Sequence, residues 1–131
     1  MSYNRLPRLK NMGAKDLTVE RYDGVAEDQR ILLLRGPLTM ETAPKFQRAV
    51  HHENAETMIL DLSDVPYIDS VGLGSLVAAY VSHQKTGRCL VLTGLKPRVL
   101  KVMEITKVDD FFLTFGTTWE AVEALANTGT A

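Results

Sequence analysis

The residues best equipped for chemistry in this chain stand in one short run, Tyr67, Ile68, Asp69, Ser70, Val71, Gly72, Leu73 and Gly74. A serine next to a carboxylate has three uses. It can cap a helix, it can act as a nucleophile if a base lies within reach, or it can accept a phosphoryl group. Gly72 and Gly74 fall where the first turn of a helix is expected, and each costs up to about 1 kcal/mol relative to alanine in such a place. Their presence implies that something approaches this turn closely, either another surface or a neighbouring backbone. Asp69 or Ser70 as a plain N-cap is compatible with that, because the amides that accept a cap can also accept a phosphate. Ser70 is therefore a candidate modification site at the tip of the turn.

Other signals carry less. His51, His52 and Glu53 are adjacent, so on a helix they point in different directions and do not make the paired face that a zinc helix needs. Ser82 and Lys85 have the spacing of a serine acyl-enzyme motif, but Lys85, Thr86 and Gly87 overlap it where that active site draws on separate elements. The turn after Asp69 lacks the third glycine and following acid of a dinucleotide fingerprint. Lys96, Arg98 and Lys101 read as a solvated face, Phe111, Phe112 and Phe115 as core, and Trp119 is given no role. No catalytic residue, metal ligand or cofactor is assigned.

These residues must be held by a small frame. The chain has 131 residues, 45% of them hydrophobic and 24% charged, with a formal net charge of -1. That is one domain's worth of globular chain, without a field to draw it to nucleic acid or anionic lipid, and without a run long enough to span a bilayer. The lone Cys89 lies in an apolar run, which suits a core position in a reducing compartment and hence the cytoplasm. Arg5, Arg8, Lys10 and Lys15 make residues 1–15 a basic segment, read as a flexible tail.

From Leu17 onward strand and helix patterns alternate. Leu17, Val19 and Tyr22 predict a short strand with one apolar face. Ile31 to Leu34 and Cys89 to Leu92 are apolar on consecutive residues, as strands covered on both faces are, and Met58 to Leu62 reads as a second buried strand. Between them, Ala43, Phe46, Ala49 and Val50 predict a helix opened by Pro44, and Leu73, Leu76, Val77, Tyr80 and Val81 one closed by Gly87. Pro97 opens a third helix carrying Val99, Val102 and Met103. Phe111, Phe112 and Phe115 mark a last strand, and Thr117 with Glu120 has capping-box spacing for a fourth helix. Strands separated by helices pair in parallel through right-handed crossovers. The expected fold is α/β, a mixed and mostly parallel sheet with an antiparallel N-terminal strand and about four helices, occupying residues 16–127. Residues 128–131 are read as a flexible end.

Ile59, Leu60, Asp61 and Leu62, followed after a short turn by Asp69, Ser70, Val71, Gly72, Leu73 and Gly74, resemble the signature of the STAS family, in its branch of bacterial anti-sigma factor antagonists. Gly36, Leu38, Thr42, Ala43 and Pro44 resemble the family's segment before its first helix, and Thr106, Val108, Asp109, Asp110 and Phe112 its stretch before the last strand. The likeness runs from about Leu17 to about Ala126. Three positions depart from it: Thr39 stands where members commonly carry an acid, Val71 where a hydroxyl residue often follows the serine, and Lys107 where a glycine is common.

The resemblance implies a partner switch. The unmodified domain would bind an anti-sigma factor, usually a serine kinase, and free a sigma factor. Phosphorylation of Ser70 would end that binding and a phosphatase would restore it, with ATP and magnesium belonging to the kinase. The expected docking surface comprises Thr39, Thr42, Asp69, Ser70, Val71, Gly72, Gly74 and Ser75, with Ala79, Ser82 and His83 continuing it along the helix. A phosphate at the helix N-terminus is expected to be tolerated by the amides there. A homodimer is left open. A second reading is a binding or scaffold STAS subunit of a sensory complex or transport assembly, in which Ser70 is only a cap. An enzyme with Ser70 as nucleophile ranks third.

Overall fold

The structure, a computed structural model, describes residues 16–130. The expected basic tail over residues 1–15 lies outside the described residues. Five strands form one sheet in the order β1(Thr18–Asp23), β2(Gln29–Arg35), β3(Thr57–Asp64), β4(Cys89–Thr93), β5(Leu113–Phe115). β1 pairs antiparallel with β2, and the other neighbours pair in parallel. The helices are α1(Ala43–His51), α2(Ser70–Lys85), α3(Pro97–Ile105) and α4(Thr118–Thr130), with a short 3-10 turn at Asp109–Phe111. α4 continues beyond the expected domain end at residue 127.

The consecutive apolar runs are explained by period two. Leu32, Leu34, Leu60, Leu62, Leu90 and Leu92 belong to one core cluster, which also takes Phe46 of α1, Leu73 and Leu76 of α2, and Val99 and Met103 of α3. The alternate residues Ile31, Ile59, Cys89 and Val91 point the other way, against Ala121, Val122 and Leu125 of α4. Three crossover helices thus cover one face and α4 the other. Thr117 and Glu120 close the expected capping box: the Glu120 amide donates to the Thr117 hydroxyl and the Thr117 amide to the Glu120 carboxylate.

Four expectations about packing need correction. Tyr22 is one step out of phase with Leu17 and Val19; it is exposed, and its hydroxyl donates to Glu20 rather than joining an apolar face. Val81 of α2 is exposed too, because the buried stripe runs through Gly72, Leu76, Ala79 and His83 instead. Phe111 closes the 3-10 turn with half its surface in solvent, and of the late phenylalanines Phe112 alone is fully buried, edge-on to the Tyr80 ring. Cys89 is only half-buried, and that burial raises its thiol pKa.

Candidate functional site

Each parallel strand delivers its loop to the same edge of the sheet, and the Ser70 turn forms there between β3 and α2. The segment after β2 runs alongside it. Leu38 bridges in parallel with Ile68, the Leu38 amide donates to the Tyr67 carbonyl at 3.2 Å, and the Asp69 amide donates to the Leu38 carbonyl at 3.2 Å. Gly36, with φ at +117°, makes the turn out of β2 that permits this approach.

Asp69 is the N-cap of α2. Its Oδ1 accepts from the Gly72 amide at 2.8 Å, as a cap does, while its Oδ2 accepts from the Met40 amide at 3.0 Å, tying the two loops together. Burial pushes the carboxyl pKa up, but the amides of Gly72, Met40 and Val71 together outweigh it and hold the pKa below the ordinary range. Ser70, the first residue of α2, is exposed. Beside it Met40 is 65% exposed and Val71 45%, so the turn presents the serine together with apolar residues to solvent.

The two glycines divide. A Cβ on Gly72 would lie 2.0 Å from the Leu38 carbonyl oxygen, so the neighbouring backbone is what needs this glycine. A Cβ on Gly74 would meet nothing within 4 Å, and Gly74 is exposed. Nothing among the described residues accounts for it.

Thr39 and Thr42 support the turn from below. The Thr42 hydroxyl donates to the Pro37 carbonyl at 2.8 Å and accepts from the Thr39 amide at 2.9 Å, so this buried side chain braces the loop and faces no partner. The Thr39 hydroxyl is buried and lacks a hydrogen-bond partner among the described residues. Ser75 was expected on the outer face and is instead buried, its hydroxyl donating to the Gly72 carbonyl at 2.6 Å. Ala79 and His83 are buried as well, leaving Ser82 as the exposed member of that group. The reason is that α1 packs on α2 over that face, which small side chains such as Ser75 and Ala79 permit. The surface around Ser70 therefore consists of Met40, Val71 and Gly74 with the rim of Asp69.

Two contributors escape sequence reasoning. Met40 is an apolar residue in a polar turn, and no pattern says which way it points. Arg98 of α3 places its guanidinium 4.9 Å from the centre of the Tyr67 ring, bringing a cation to the loop that leads into Ser70. Its signal was the basic trio of α3, whose location is a tertiary fact.

The three histidines stand at the other ends of the helices. His83 is thirteen residues along α2 from Ser70, about 20 Å at the helical rise. His51 and His52 close α1, which begins beside the site. No imidazole lies where it could deprotonate Ser70.

A family model described as STAS domain matches residues 16–123. The anti-sigma-B factor antagonist of Listeria monocytogenes is 37% identical over 82 residues, covering 60% of this chain and 72% of that protein. An anti-sigma factor antagonist from Mycobacterium paratuberculosis superposes with a TM-score of 0.73 at 24% identity, over 82% of this chain and 92% of that one. A sulfate transporter family protein from Wolinella succinogenes superposes with a TM-score of 0.70 at 23% identity, over 79% and 88%. The last two likenesses speak for the fold.

Proposed function

Because the chain belongs to the STAS domain family, we propose that it acts as an anti-sigma factor antagonist whose docking surface is the exposed ground around Ser70. The observation that carries this is Ser70 standing exposed at the start of α2, beside exposed Met40 and Val71 and a Gly74 that no neighbour among the described residues requires. The relative from Listeria monocytogenes supports the class of partner by its name, an anti-sigma factor. In this reading the partner is a serine kinase, it binds the unmodified surface, and phosphorylation of Ser70 releases it. A phosphatase resets the switch.

The energy is adequate. A phosphoserine carries roughly -1.5 to -2 charges. Facing one partner carboxylate at about 6 Å, with an effective dielectric near 20, it is repelled by about 5 kcal/mol. Inverting a population from 1:99 to 99:1 takes about 5.5 kcal/mol. The Gly72 amide is already taken by Asp69, so the phosphate would share the helix terminus with an existing carboxylate rather than find free amides; that repulsion is present in the free and the bound domain alike, and the switch rests on the partner's charge.

That same engagement of Asp69 favours the second reading, a STAS binding subunit in which Ser70 is never modified. One experiment separates them. The protein is incubated with ATP and the anti-sigma factor kinase of its own organism, and the phosphate is located by mass spectrometry. Label on Ser70, absent from Ser70→Ala, with Ser70→Ala binding the partner and Ser70→Asp failing to, is the expected result. Label that persists in Ser70→Ala rejects the site, and partner binding without any label selects the second reading.

A further inference from the structure

We propose that the basic segment before β1 binds the phosphate on Ser70, with the guanidinium groups of Arg5 and Arg8 as its ligands, and so holds the modified state within one molecule. The inference rests on the reading of Ser70 as a phosphorylated residue. Arg5, Arg8, Lys10 and Lys15 give residues 1–15 a charge of +4 with no acid, which leaves -5 for the rest of a chain whose net charge is -1. Opposite charges on one chain attract, and the fold decides where they meet.

The segment enters the sheet at the edge that carries Ser70. β1 runs antiparallel to β2, with Thr18 opposite Arg35, so its first residues stand where β2 ends and the loops begin. The carbonyl oxygen of Asp16 would lie 2.1 Å from a Cβ on Gly36. Leu38 is two residues further on, and its carbonyl accepts from the Asp69 amide at 3.2 Å. Laid end to end, these links put Ser70 within about 25 Å of Asp16. Arg8 is eight residues before Asp16 and Arg5 eleven, chain enough for about 26 Å and about 36 Å. Both can reach the serine without any movement of the sheet.

The described residues of this edge leave a phosphate short of positive charge. Asp69 already takes the Gly72 amide that a phosphate at a helix start would use. The loop that Asp69 holds through the Met40 amide continues into exposed Glu41, a further negative charge. Of the cations that the fold brings here, Lys45 pairs with Asp16, Arg35 pairs with Glu20 and Asp64, and Arg98 lies over the Tyr67 ring. Phosphorylation adds roughly -1.5 to -2 to a corner that is already acidic. Arginine suits it, because the planar fork gives a phosphate two parallel N–H···O bonds. Tethering adds an effective concentration on the order of millimolar, so individually weak contacts suffice.

The test uses the full chain with phosphoserine incorporated at position 70 during translation, so it does not wait on a kinase. A kinase that leaves Ser70 unlabelled rejects the switch and leaves this measurement standing. Phosphorus NMR follows the second ionisation of the phosphate in the intact chain, in Arg5→Gln with Arg8→Gln, in Arg5→Lys with Arg8→Lys, and in Arg98→Gln. The ionisation constant is expected to be about threefold larger in the intact chain than in the double glutamine variant, the work of one or two exposed ion pairs. The double lysine variant should fall between them, Arg98→Gln should match the intact chain, and the gap should close in about 1 M salt. Equal constants in the intact chain and the double glutamine variant overturn the proposal. So does a change that follows Arg98→Gln alone, which would give the phosphate to α3. A gap that grows with protein concentration places the arginines on a second copy and overturns it as well.

Discussion

Gly72 and Gly74 sit one residue apart in the same helical turn, yet the fold requires only the first. At Gly72 the added methyl would collide with the backbone carbonyl of Leu38, and neither partner can rotate away. Gly72→Ala is therefore expected to cost roughly 1–3 kcal/mol, the range for overpacking, seen as a lower urea midpoint. Gly74→Ala meets open space and gains helix propensity, so it should stabilise by up to about 1 kcal/mol. If Gly74 is kept for a docking partner, the same variant will bind its anti-sigma factor more weakly while melting later. A Gly74→Ala protein that is more stable and binds equally well would remove Gly74 from the surface. The sequence marks both glycines alike because it shows the helical turn and hides the strand-side loop that presses on it. Ser75 and His83 were misplaced for the same reason: their polarity put them off the apolar stripe, and the helix that covers them is distant in sequence.

At the scale of elements, two helices end in the same device built from different residues. At α2 the Gly87 amide donates to the Gln84 carbonyl and the Arg88 amide to the His83 carbonyl, with Gly87 at φ +72°. At α3 the Lys107 amide donates to the Glu104 carbonyl and the Val108 amide to the Met103 carbonyl, with Lys107 at φ +62°. Both are Schellman closures, whose left-handed residue is usually glycine. This accounts for the glycine common in the family where the chain has Lys107. A left-handed non-glycine residue costs roughly 1–2 kcal/mol, offset in part by the larger entropy that glycine loses on folding. Lys107→Gly should consequently stabilise by about 0.5–1 kcal/mol, read from chemical denaturation, with the sheet edge unchanged. Gly87→Ala should do the reverse by a similar amount. Loss of stability in Lys107→Gly would mean that the lysine side chain contributes something its backbone does not reveal. The helix end was legible at Gly87, because glycine announces the conformation. At Lys107 it was legible only as a departure from a family pattern.

For the whole molecule, the alternation of strands and helices was readable because the central parallel strands β2, β3 and β4 send apolar residues to both faces and the crossover helices to one, whereas β5 is largely exposed. What the alternation could not supply was the polar wiring between elements that are distant in the chain. Glu53, after α1, is buried and held by Arg21 of β1 at 2.7 Å and Arg30 of β2 at 2.8 Å. The hydrogen bond from Arg21 lowers its carboxyl pKa, joined by Arg30 and working against burial. Asp69 is lowered as well, so both carboxyls contribute stability that is present above the ordinary carboxyl range and is lost as the pH falls through their folded values. His83 acts earlier. Its folded pKa lies below the ordinary imidazole value near 6.5, so on acidification the unfolded chain takes up a proton that the folded protein refuses, and folding weakens. The molecule should accordingly lose stability in two stages: first below the ordinary imidazole value, down to the lower folded one, then in the carboxyl range. Urea midpoints measured from neutral pH to about pH 2 test this. His83→Asn has no imidazole to protonate at that position, so its midpoint should hold steadier through the first stage and then fall with the wild type in the second. Equal losses by the two proteins through the first stage would show that burial of His83 does not govern the response, and would leave the carboxylates of Glu53 and Asp69 as the groups to replace next.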